Sequence, residues 1–101
     1  MNIHMVEPAN KFVKLPDSQW ESGWWILDEN KARELVGGEI YFHKKQQEPS
    51  FFGGIITGYR IEQGESNQGK IVFTLQYNAA CRNVKTDKNG WSKRMKIISH
   101  D

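Results

Sequence analysis

Three features of this 101-residue chain predict a mostly β domain with one short helix, its antiparallel sheet curled over or closed into a small barrel. The first is alternation at the strand period of two. Ile40 and Phe42 fall on one face of residues 39–44, and Ile71, Phe73, Leu75 and Tyr77 on one face of residues 70–77. The second is a single helical stripe, Ala32, Leu35 and Val36 at i, i+3 and i+4, too short to stand alone and so expected to pack on the Ile40/Phe42 face. The third is length: a chain this short makes one core, and curling the sheet is the most economical way to cover its faces. A flat sheet with helices on one side is the alternative.

Taken in order, residues 1–10 have no periodicity and contain Pro8, so they read as a loose tail or an edge extension, leaving 11–101 as the single domain. Residues 11–15 form a short strand ending at Pro16. Asp17 and Ser18 open a loop or single turn through Trp20 to Gly23, and residues 24–27 are a second strand. Asp28 or Asn30 caps the helix over residues 30–36, and Gly37 closes it in the left-handed conformation. Residues 39–44 and 51–62 are strands, with Ile55, Thr57, Tyr59 and Ile61 on a common face. Gly53-Gly54 marks a bulge or a close backbone approach. The run 70–77 completes a hairpin with 51–62, residues 78–82 make a helical turn, Asp87 to Gly90 a turn, and residues 95–98 a closing strand.

Composition narrows the function classes. Charged residues make up 26% of the chain and hydrophobic ones 38%, so aromatic rings, four of them Trp, must supply much of the buried area. The single cysteine, Cys81, excludes an intramolecular disulfide and a cysteine metal cluster, which favours a reducing compartment. No run approaches the roughly 20 apolar residues that span a bilayer, and residues 1–10 lack an apolar signal core. A soluble cytoplasmic protein with no membrane partner is the expectation. The formal charge of +2 hides an asymmetry, because residues 82–96 carry six basic side chains against Asp87 alone. That is the footprint of a chain that meets phosphate, or of a solvated lysine-rich loop.

No phosphate loop, dinucleotide fingerprint or paired metal-ligand motif is present, so neither a cofactor nor a metal is expected. A three-His metal site would need His4 and His100 to converge on His43. His43 could act as a catalyst with Glu39, Ser50 or Cys81, or as a ligand-binding residue, although its plainest account is an exposed ring beside Lys44 and Lys45. Cys81 reads as a small buried hydrophobe. Trp20, Trp24, Trp25 and Trp91 fall near element ends, where flat rings can stack a base or plug the ends of a barrel. Trp25 is expected in a pocket and Trp91 in packing.

The run Gly23-Trp24-Trp25-Ile26-Leu27, the Asn30-led helix, then Gly37-Gly38-Glu39-Ile40-Tyr41-Phe42-His43 and a Gly-Gly-Ile-Ile strand resemble PUA-like domains, with the EVE and YTH branches closest in order. The resemblance covers about residues 23–77 and lacks the Lys-x-x-Thr-x-Arg motif of the related ASCH branch. It implies an aromatic pocket for a modified base of DNA or RNA. Trp24 and Trp25 would form the stacking wall, Asn30 and Ser50 would bond a base edge, and Tyr41 and His43 would line the floor. Arg82, Lys85, Lys93 and Arg94 would meet phosphates. The reading is thus a non-enzymatic nucleic-acid-binding module. The alternative is a small protein-binding module or inhibitor that meets a protein partner through a Trp-rich patch.

Overall fold

The structure, a computed structural model, describes residues 1–99, so His100 lies outside the described residues. Strand accounts for 44% and helix for 13%, which makes the fold mostly β, as alternation predicts. The strands are β1 (Asn2–Val6), β2 (Phe12–Lys14), β3 (Gln19–Trp25), β4 (Glu39–His43), β5 (Ser50–Ile61), β6 (Ile71–Tyr77) and β7 (Met95–Ile98). One helix, α1 (Glu29–Leu35), joins β3 to β4. All seven strands belong to one sheet, in the order β2-β3-β6-β5-β4-β1-β7.

The sheet is mixed and open. Every neighbouring pair is antiparallel except β1 and β4, which run parallel from Ile3↔Ile40 to Val6↔His43. It is nonetheless curled. Ile3, Met5, Trp25, Ile40, Phe42, Ile56, Ile71, Phe73 and Leu75 form one buried cluster with Ala32 and Leu35 of α1, joined by Phe12 of β2 and Met95 and Ile97 of β7. One face of all seven strands can meet in a single cluster only if the sheet wraps around it. The barrel stays unclosed because no ladder joins the edge strands β2 and β7.

Several local expectations are corrected. Residues 1–10 are no tail, because β1 sits inside the sheet between β4 and β7, with Ile3 and Met5 fully buried. Residues 19–23 belong to β3 and not to a loop, since Asp17 and Ser18, both at positive φ, form the tight turn of a β2–β3 hairpin. The face assignment on β5 breaks at a register shift between Ile56 and Gly58. Ile56 points into the core, the extra residue reverses the alternation, and Tyr59 and Ile61 then face inward while Thr57 is exposed.

Of the two readings of Gly53-Gly54, the close approach is the one observed. A Cβ on Gly53 would stand 2.2 Å from the Ile40 carbonyl oxygen and 2.9 Å from Cys81 Cβ. Gly37, at φ +92°, follows the end of α1 in the left-handed conformation anticipated for it.

Candidate nucleic-acid interface

The outer face of β4 and β1 is covered by the chain from residue 78 to 94. Asn78 starts a single 3₁₀ turn (Ala79–Cys81) by accepting the Ala80 N–H on its side chain, and its own N–H donates to the Gly53 carbonyl. Cys81 then rests on the bare backbone of Gly53. Ser50 ties the next stretch down: its hydroxyl donates to the Cys81 carbonyl at 2.6 Å and accepts the Val84 N–H at 3.0 Å. Further on, Lys96 Nζ meets Asp87 Oδ1 at 2.9 Å. Lys96, itself buried, is thereby spent on the exposed carboxylate of Asp87, so the positive charge at the surface of this segment resides on Arg82, Lys85, Lys88, Lys93 and Arg94.

Beneath the cover lies a buried polar and aromatic layer. His4 stacks on Tyr41 with ring centroids 4.5 Å apart, and Trp91 stands edge-on to His43 at 5.7 Å. His43 Nδ1 faces the Glu48 carbonyl at 2.7 Å, which can only accept, so this nitrogen carries the proton. His43 Nε2 then accepts from His4 Nδ1 across 2.8 Å. Burial, with repulsion from His43 and Lys96, takes the His4 ring down to about 4, and burial lowers His43 as well. Burial likewise pushes the Tyr41 phenol and the Cys81 thiol up to about 12.

The expected pocket is therefore divided. Tyr41, His43 and Ser50 lie in this covered layer and do not line an open cavity. The exposed surface expected of His43 is absent, because β1 pairs along the edge of its strand and brings His4 against the ring, while Trp91 of the returning segment covers the outer side. Asn30 sits on the exposed side of α1, its side-chain oxygen accepting from Arg33.

Trp24 and Trp25 part company at a register shift between Ser22 and Trp25, where β3 carries a cis Gly23–Trp24 peptide. Trp25 turns into the core at 7% exposure and donates from Nε1 to Ser22 Oγ, with one edge left on a cleft. Trp24 turns outward at 48% exposure. Its Nε1–H donates to Glu62 Oε1 at 2.8 Å, and that bond, with the Gly64 N–H and Arg60, holds the Glu62 carboxyl down at about 2. A permanently charged acceptor thus anchors an open indole face.

Around that ring three clefts adjoin. One of ≈460 Å³ opens between Trp24, Trp25 and Ile26 on one side and Ser92, Lys93, Arg94 and Met95 on the other. A second brings Lys11, Lys70 and Arg94 to Trp24, with Glu7 and Asn67. A third places Lys11, Val13 and the ion-paired Arg60 beside it. Comparison with protein families, with curated proteins and with solved structures finds no match.

Of the predicted site residues, Trp24, Trp25, Lys93 and Arg94 come together across the gap between the end of β3 and the start of β7. Arg82 lines a different cleft, with Trp20, and Lys85 is exposed on the returning segment. Lys11 and Lys70 were missed because each reads in the sequence as the polar first residue of a strand. The pairing of β2 and β6 on either side of β3, Phe12 against Ser22 and Ile71 against Trp25, carries them to Trp24. Among the described residues, no three His, Cys, Asp or Glu side chains gather as a metal site.

Proposed function

We propose that the domain binds nucleic acid without acting on it chemically, stacking a base on the open face of Trp24 and holding the flanking phosphates with Lys93 and Arg94. The supporting observation is the pairing of a fixed, half-exposed indole with Lys11, Lys70, Lys93 and Arg94 around one set of clefts. Base stacking on an aromatic side chain contributes about 1–3 kcal/mol and tolerates any base, while lysine and arginine supply the salt-sensitive part of the affinity. Non-catalytic binding fits the enclosure of His43, Ser50 and Cys81, whose polar atoms are taken up by the fold. The likeness to EVE and YTH domains adds that the base carries a modification. Such a base would enter beside Trp25 in the ≈460 Å³ cleft, not at a floor of Tyr41 and His43.

A second reading rests on Val13 and Ile26, exposed by 57% and 80% on the borders of the same clefts. With Trp24 they make an apolar patch of the kind that anchors protein interfaces. Fluorescence anisotropy with labelled single-stranded and duplex DNA and RNA separates the two. Nucleic-acid binding predicts that log affinity falls with log salt at a slope of about −0.7 per phosphate contacted on a single strand. It also predicts that Trp24→Ala weakens binding by roughly 5- to 150-fold, the equivalent of the stacking energy. No binding to any of the four, together with a nuclease-resistant protein partner lost in Ile26→Ser, would instead establish the protein-binding reading.

A further inference from the structure

A second aromatic cleft, of ≈450 Å³, opens at the far end of β3 and belongs to neither the Trp24 surface nor the histidine layer. Its walls are Trp20, Phe51, Phe52 and Tyr77, all of them half-buried although they are large flat rings. Phe52 stacks on Tyr77 with centroids 5.4 Å apart and meets Trp20 edge-on at 5.4 Å, so the rings brace one another. Lys14 and Arg82 stand at the rim, with Lys14 Nζ 5.9 Å from the centre of the Trp20 ring. Among the described residues, no carboxylate lines the cleft. Braced rings under a purely cationic rim match an unpaired base and its phosphate better than an apolar side chain of a protein, for which the two unopposed charges would have no counterpart.

We propose that this cleft is a second nucleotide subsite, so that the domain grips one single strand at two places, a base at Trp24 and another at the Trp20–Tyr77 cleft, with Lys14 and Arg82 on the phosphates of the second. The proposal rests on the base-binding reading of Trp24. Trp20 and Trp24 are four residues apart along β3, about 13 Å at strand rise, and the register shift between Ser22 and Trp25 leaves Trp20 packed against the core while Trp24 turns outward. A dinucleotide reaches one cleft only. A longer strand that follows the edge past β2 reaches both, and the second contact is then intramolecular, which multiplies affinity without any new site.

The test uses the full chain with a fluorescein-labelled thymidine dinucleotide and an oligothymidylate of about twelve residues, within the usual range of roughly 4–16 nucleotides for single-strand binding modules. Lys14→Gln/Arg82→Gln is compared with Lys31→Gln/Arg33→Gln, which removes the same charge from α1. The expected result is that the first double variant weakens binding of the longer strand by about tenfold or more and the second leaves it within about twofold, while neither alters the shift of the Trp24 indole signal that the dinucleotide induces. In nitrogen-15 spectra the Trp20 indole signal should move when wild-type protein is saturated with the longer strand, and still move in Trp24→Ala. Equal losses in the two double variants, or a Trp20 signal that stays put at saturation, would overturn the second subsite while leaving Trp24 as a base-binding residue. If the wild type binds neither probe, both the base-binding reading and the second subsite fall.

Discussion

Adjacent tryptophans with opposite fates show how much one backbone step decides. Trp25→Ala removes a ring that is nearly all buried and orphans the Ser22 hydroxyl, so it is expected to cost about 3–5 kcal/mol of the roughly 5–15 kcal/mol that a domain of this kind possesses. Its thermal midpoint should drop far below wild type, whereas that of Trp24→Ala should stay close to it. The sequence pointed the other way, to Trp25 as the pocket wall. Four apolar residues in a row carry no period, and nothing local reveals that the register shifts between Ser22 and Trp25. The histidine pair was equally illegible, because His4 reaches His43 only through a parallel pairing with a strand far along the chain.

That pair also sets a pH dependence. Both rings are shifted toward the neutral form, His4 down to about 4 and His43 in the same direction, so below the ordinary histidine value of 6.5 the unfolded chain binds protons that the folded chain refuses. Stability is therefore complete above pH 6.5 and falls as the pH drops through this window, by about 1.4 kcal/mol per pH unit for each unmatched proton. Lys96, paired with Asp87 beside His4, adds a fixed positive charge that opposes protonation further. A urea midpoint clearly lower at pH 5 than at pH 7 is the expected outcome. An unchanged midpoint would mean that both rings take up protons as readily in the fold as in the unfolded chain.

At the scale of elements, strands whose faces differ were legible and strands whose partners are remote were not. β4 and β6 announce themselves by alternation, and α1 by a stripe whose Ala32 and Leu35 are fully buried. Its Val36 is exposed because the helix has already ended there. β1 has the same alternation in Ile3 and Met5, but five residues ahead of Pro8, with both neighbouring strands distant in sequence, look like a frayed end. A close joint between elements lies at Gly53, where Cys81 and the Ile40 carbonyl leave no room for a methyl group. Gly53→Ala should thus force the 3₁₀ turn off β5. Loss of cooperative unfolding, or Cys81 becoming reactive to a thiol reagent in the native state, is the expected readout. A variant that melts like wild type with Cys81 still protected would show that the backbone gives way cheaply.

Across the whole molecule, the basic segment that stood out in the sequence turns out to have two jobs. One basic residue, Lys96, is buried and paired with the exposed Asp87, while Lys93 and Arg94 are delivered to the Trp24 cleft and Arg82 to the Trp20 cleft. Charge counting could find the segment but not this division, which depends on where the chain crosses the sheet. The same crossing explains why an open sheet has so little exposed edge. β2 is only three residues long, and β7 only four, so neither presents much unpaired backbone for another chain to extend.

The adjacency of β1 and β7 has a consequence for connectivity. Asn2 is registered against Ile98, so the two extremities of the described chain lie side by side at one edge of the fold, and the order in which strands are strung together is separable from the order in which they pair. A circular permutant, with a short glycine-rich link from Ser99 to Met1 and new ends opened between the exposed Lys88 and Asn89, away from the Trp24 clefts, would keep every ladder intact. It should fold to the same cooperative domain with its Trp24 affinity unchanged, as read by its amide spectrum and an oligonucleotide titration, because the clefts are made by the registers and not by the route the chain takes between them.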